Sequence, residues 1–307
     1  MSPLARRLRQ ARFYLAHGID LGVRAATARW RTLPGVFLLG ATKCGTTSLA
    51  GHLALHPAYV PALTKELMFL QDLPHFRSNY QMNRAMEWAW GRWSDTDLRP
   101  YRKFFPLERT MREVSRRTGT RAVTGDHTPF SLYCPVARER IARIAPDARL
   151  IVLLRDPVAR TWSDYNMLRT RNPEESRTFE QAIDDELGGA CVDFRRTYLH
   201  QGIYEPHLRS WLARFPREQL LVLRSEDFFR DPRGVLAQVY AFAGLPPFNP
   251  GDLAVRNEGT YEAPMQAATR ERLRAFFRPH NRRLQDLLSV DFGWETESAP
   301  AREVNLP

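Results

Sequence analysis

The chain predicts an α/β fold, a single domain in which a central parallel sheet is flanked by helices. Three observations carry this expectation. Short apolar runs alternate with segments of helical period, the order that places parallel strands between covering helices. Two of those runs end in loops that lead straight into a helix. No Gly/Ser-rich or Pro-rich spacer and no internal repeat interrupts the pattern between Val36 and Trp294.

The elements follow in order. Val36 to Leu39 is a continuous apolar run ending at Gly40, as a strand buried on both faces should be, and Thr46 to Leu55 reads as a helix stopped by His56-Pro57. Arg121 to Thr124 is the next expected strand. Arg149 to Leu154 repeats the first unit, turning at Arg155-Asp156-Pro157 into a helix from Val158 to Arg169. Gln219 to Leu223 is a fourth strand. Helical periodicity also fits Leu107–Arg117, Val136–Ile144, Tyr204–Phe215, Arg233–Ala243 and Ala267–Leu288.

Residues 1–34 read as a basic amphipathic segment, 35–296 as the domain and 297–307 as a tail. In the first segment Leu8, Tyr14, Leu15, Ile19 and Val23 stand among arginines. That pattern suits a surface helix packed on the domain, or a basic helix making peripheral contact with anionic lipid.

The net charge of +11 calls for an anionic partner: nucleic acid, a membrane surface or a phosphorylated small molecule. Lysine occurs only at positions 43, 65 and 103, so nearly all the positive charge is arginine. Cys44, Cys134 and Cys191 form no CxxC pair and are odd in number, against a disulfide framework or zinc site and for a cytoplasmic setting. The apolar stretches fall well short of the roughly 20 residues that cross a bilayer, and the arginine-rich start lacks a signal-peptide core.

Chemistry concentrates after the first strand. In Gly40-Ala-Thr-Lys43-Cys44-Gly45-Thr46-Thr47-Ser48, small residues let backbone amides approach a phosphate, and the next helix points its positive end there. The spacing resembles a nucleotide triphosphatase P-loop, but Thr46 stands where its lysine belongs and lysine comes three residues earlier. A lysine inside the loop can reach the bridging oxygen of a phosphosulfate, where charge develops as the S–O bond breaks. Arg155, with Ser163 on the following helix, suits a second anion rather than Mg²⁺. The plain alternative for Arg155 and Asp156 is a helix-capping ion pair.

These motifs resemble the 3′-phosphoadenosine 5′-phosphosulfate (PAPS) dependent sulfotransferases, in the branch of bacterial and heparan sulfate enzymes. The likeness spans about Val36 to Trp294 and includes Gly202-Ile-Tyr204 with Trp211, Ser225-Glu-Asp227, and Phe277-Arg-Pro-His-Asn281. It implies a P-loop-type domain that uses PAPS as donor, releases PAP and needs no metal. Lys43, Cys44, Gly45, Thr46, Thr47 and Ser48 would hold the 5′-phosphosulfate, Arg155 and Ser163 the 3′-phosphate, and Gly259, Thr260 and Tyr261 a loop over the nucleotide.

Thr64-Lys65-Glu66 resembles the family's Lys-Glu pair, which makes Glu66 the base and Lys65 a cation near the transferring group; an exposed ion pair is the alternative. Met68 and Gln71 fill places where the heparan branch often has histidine and aspartate, which argues against heparan as acceptor. His127 stands where lysine is common and is read as a second base, an acceptor contact or a satisfied half-buried histidine. Tyr80, Trp88, Trp90, Trp93 and Tyr101 read as packing or as a lid over the acceptor. The acceptor stays open among small molecule, lipid and glycan, with no nucleic acid as partner. The rival readings are a P-loop kinase or NTPase and a basic nucleic-acid- or membrane-binding module.

Overall fold

A computed structural model describes residues 20–71, 93–171, 175–189, 197–251, 253 and 264–295. The chain forms two compact units, Met1–Leu154 with Trp211–Asn257, and Arg155–Ser210 with Glu258–Pro307.

The first unit holds a four-stranded parallel sheet of β1 (Val36–Gly40), β2 (Gly125–His127), β3 (Arg149–Leu154) and β4 (Leu220–Arg224), in the order β2-β1-β3-β4. All five residues of β1, and all of β3 but Arg149, are buried, which explains why these strands are apolar runs rather than alternating ones. The covering helices include α1 (Thr46–Leu53) and α8 (Pro232–Phe242), which bury Leu49 and Leu53, and Val235, Leu236 and Val239. Helices also form at Glu108–Thr118 (α2) and Pro135–Ile144 (α3) as expected, while α7 (Ser225–Arg230) was not foreseen.

The second strand is displaced from its expected place. Arg121 to Thr124 is not a strand; only Val123 bridges, to Tyr59, and pairing with β1 starts at Gly125 opposite Val36. Polar Gly-Asp-His enters the sheet because its side chains find buried partners: Tyr101 Oη and Thr128 Oγ1 donate to Asp126 at 2.7 and 2.6 Å. Apolarity was therefore the wrong signal for this strand.

The second unit is built on α4 (Pro157–Arg171), α5 (Phe179–Leu187) and α9 (Ala267–Leu288). Val158, Tyr165, Phe179, Ile183, Tyr198, Leu273 and Phe277 form its core. Thr178 starts α5 with a capping box closed by Gln181. The sequence reading passed over α5. The expected helix Tyr204–Phe215 is the shorter α6 (Glu205–Leu212), because Arg214 N and Phe215 N both turn back to Trp211 O.

Of the amino-terminal segment, residues 20–26 are helical and pack through Leu21, 3 % exposed. Among the described residues no helix is long and apolar enough to cross a membrane.

Candidate functional site

The loop between β1 and α1 is held at several points. Ala41 N donates to Leu153 O at 2.7 Å, tying the loop's start to the end of β3, and buried Ser225 donates from Oγ to Cys44 O at 2.8 Å. Lys43 has φ 67° and Gly45 φ 87°. The left-handed region disfavours residues with a Cβ, and a Cβ on Gly45 would also lie 2.8 Å from the Phe229 ring. Lys43 therefore occupies an unfavourable backbone conformation that the surrounding contacts impose. The first amides of α1, from Thr46 onward, have no acceptor within the helix and sit at its positive end. Thr46 and Ser48 are buried, and Thr47 is half-buried.

A second strained stretch lies beside this loop. Glu66 has φ 57° and Met68 φ 49°, and Glu66 N donates to His127 O at 2.8 Å. Lys65 Nζ donates to Thr47 Oγ1 at 3.0 Å and is ion-paired with Glu66 Oε1. The pair is thus more than a loose surface contact: it joins the loop's Thr47 to the carboxylate proposed as base, with 39 % and 16 % of the two side chains exposed. Thr47, Lys65, Glu66 and His127 come together. The third lysine does not join them; Lys103 is buried over the Phe104 ring, where desolvation pushes it down to about 8.

His127 is buried, and its Nε2 lies 2.7 Å from Tyr59 Oη. Burial first, and then the Lys65 charge, push its pKa down to about 4, so the imidazole is neutral at physiological pH. Asp126 is pushed up by burial, an effect the Thr128 and Tyr101 hydrogen bonds oppose. Of the two residues at heparan-branch positions, Gln71 is turned inward to donate to Ser131 Oγ at 2.7 Å, and Met68 is buried. Tyr101 is fully buried against Phe69 and Phe105, so it packs and forms no lid; Trp93 lies under the Arg140 guanidinium.

In the second unit, Arg155 follows directly on β3, and its carbonyl accepts from Tyr204 Oη at 2.9 Å. Asp156 caps α4 by accepting from Val158 N at 3.0 Å. Ser163 is buried on the same helix. The sequence reading missed Arg160, which is fully buried, pairs with Asp164 at 3.1 Å and donates to Tyr198 O. Its signal was the Arg-x-x-x-Asp spacing on one helix face. Also unforeseen is Glu186, whose carboxylate accepts from the amides of Tyr198, Leu199 and His200. Gly259, Thr260 and Tyr261, like Tyr80, Trp88, Trp90 and Cys191, lie outside the described residues.

Residues 34–250 match the model of the sulfotransferase family. Human heparan sulfate glucosamine 3-O-sulfotransferase 3B1 is 28% identical over 288 residues, covering 86% of this chain and 66% of that protein. Human carbohydrate sulfotransferase 15 is 28% identical over 323 residues, covering 87% of this chain and 56% of that protein. The chain thus spans between 56% and 66% of these two relatives' lengths. A sulfotransferase structure from Alicyclobacillus acidocaldarius superposes with a TM-score of 0.62 at 26% identity, covering 86% of this chain and 99% of that one.

Proposed function

This chain belongs to the sulfotransferase family, and from that premise we propose that it moves a sulfuryl group from PAPS to an acceptor hydroxyl or amine. The observation that carries the reading is Lys65 joined at once to Thr47 of the anion loop and to the Glu66 carboxylate. It sets a general base, a cation and the donors of a phosphate cradle side by side.

The residues suit the donor. Gly45 opens α1 in the left-handed conformation, and Lys43, Cys44, Thr46, Thr47 and Ser48 belong to the cradle that would hold the 5′-phosphosulfate. Arg155 and Ser163 would hold the 3′-phosphate, and Gly259, Thr260 and Tyr261 would cover the nucleotide. The acceptor oxygen or nitrogen attacks sulfur as the bond from sulfur to the bridging oxygen breaks, and PAP leaves with the electron pair. Glu66 takes the acceptor's proton. Lys43 and Lys65 offset the charge that grows on the leaving phosphate.

A glycan is the acceptor class favoured by the relatives, whose names specify heparan sulfate glucosamine and carbohydrate. Met68 and Gln71 stand where the heparan branch often has histidine and aspartate, which supports a glycan other than heparan.

Transfer of labelled sulfate from PAPS, measured with wild type, Lys43→Ala and Glu66→Gln, tests the proposal. Glu66→Gln should lower turnover by about 10²–10⁴-fold. Unchanged transfer in that variant removes Glu66 from its role, and tight binding of Mg·ATP with none of PAP overturns the donor.

A further inference from the structure

We infer that Tyr59 is a positioning residue: its buried hydroxyl donates to His127 Nε2 and holds the imidazole with its proton on Nδ1. The inference rests on the reading of Glu66 as base and leaves that carboxylate, not the imidazole, as the group that accepts the proton.

Geometry carries it. Tyr59 Oη and His127 Nε2 are 2.7 Å apart, and the two rings lie nearly parallel, 19° between planes with centroids at 5.8 Å. Tyr59 is held from its backbone as well, by its amide to His56 O at 2.9 Å and by its bridge to Val123. Gly125 leaves room for the pair. A Cβ there would lie 2.6 Å from the phenol oxygen and 3.2 Å from His127 Nε2.

The direction of the hydrogen bond follows from accounting for one buried proton. A phenol has a single O–H, and burying it without an acceptor costs about 1–3 kcal/mol. His127 Nε2 is the acceptor that the fold brings to the Tyr59 hydroxyl. If Nε2 carried the proton instead, the bond would reverse and strand the phenol hydrogen in the interior. Nε2 therefore accepts, and the neutral ring bears its proton on Nδ1. An imidazolium would need both nitrogens as donors, which this arrangement opposes.

The charged surroundings agree. Burial first, and then Lys65, disfavour a cation at His127, and burial first, and then Asp126, raise the Tyr59 pKa and keep the phenol protonated. Glu66 is linked to His127 through the backbone, by its amide on the His127 carbonyl at 2.8 Å. His127 is thus a neutral member of the site whose ring nitrogen is occupied, and the second-base reading is set aside.

Nitrogen-15 NMR of histidine-labelled full-length protein provides the test. His127 is assigned among the eight histidines by its loss in His127→Asn. The expected wild-type spectrum shows Nε2 unprotonated and Nδ1 protonated from about pH 5 to about pH 8, as the buried neutral ring requires. Tyr59→Phe should change this signature and lower kcat by about fivefold to tenfold, the worth of one hydrogen bond, with the PAPS KM unchanged. A proton on Nε2, an imidazolium near pH 6, or a Tyr59→Phe spectrum identical to wild type overturns the inference. Should Tyr59→Phe fail to fold, the wild-type spectrum alone distinguishes the two tautomers. Because the spectrum needs no turnover, an inactive enzyme would sink the sulfotransferase reading while leaving the tautomer independently measured.

Discussion

Around Lys65 and Glu66 the charged groups are partly exposed, and left-handed backbone recurs at Lys43, Glu66 and Met68. Around Arg160, in the other unit, Arg160, Asp164, Glu175 and Glu186 are buried and paired within the unit. Arg160 binds Asp164 and Tyr198 O, Glu175 accepts from Arg177 and Tyr198, and Glu186 takes three backbone amides. Both regions hold polar residues in an apolar core, yet they use them differently. Strain and exposure mark the region proposed to meet a ligand, while extensive internal pairing, with Arg160 Nε the buried exception, marks scaffold. Counting charges along the chain would not separate the two.

The largest effect that can test this contrast lies in the scaffold. Asp164→Ala leaves Arg160 buried without its carboxylate and should cost about 3–5 kcal/mol in denaturant unfolding. A loss below about 1 kcal/mol would mean that the arginine finds water or another partner, and that the region is not closed.

Next comes the strained loop. Gly45→Ala meets both a positive φ and the Phe229 ring at 2.8 Å, and should cost about 1–3 kcal/mol of stability with weaker PAP binding by titration calorimetry. Adding Phe229→Leu should recover only the part due to contact. Full recovery would show that φ imposes no strain there.

The smallest effect is one of pH. Hydrogen bonds from Arg177 first, and then from Tyr198, hold Glu175 below the usual carboxylate range, against the opposing effect of burial. A depressed carboxylate contributes stability above its unfolded value, about 4.3, and that contribution is lost as pH falls through the folded value. Thermal unfolding near pH 7 and near pH 3 should therefore show a steeper acid loss in wild type than in Glu175→Gln. Equal slopes would contradict the assignment.

Much of the fold was legible because the signals were local. β1, β3 and β4 are apolar runs, and Ala267–Leu288 was read with the bounds it has, since its apolar positions keep helical period over a long span. Gly125–His127 was not legible as a strand. Its burial depends on Tyr59 and Tyr101, which are distant in sequence and supply the partners that make a buried Asp and His tolerable. For the same reason α5 escaped notice: its Phe179, Ala182 and Ile183 face the core of a unit assembled from separate parts of the chain.

The chain alone determined the loop between β1 and α1, because small residues, hydroxyls and a helix start act over nine consecutive positions and need no distant partner. It equally determined the strand-to-helix turn at Arg155, where a proline after Asp156 sets the helix start. Tertiary structure decided the rest. That Lys65 reaches Thr47, that Glu66 hangs from the His127 carbonyl, and that His127 is held by Tyr59 are pairings across 18, 61 and 68 positions. Hydrogen bonds of such separation follow from how the sheet stacks its neighbours, which no local pattern encodes.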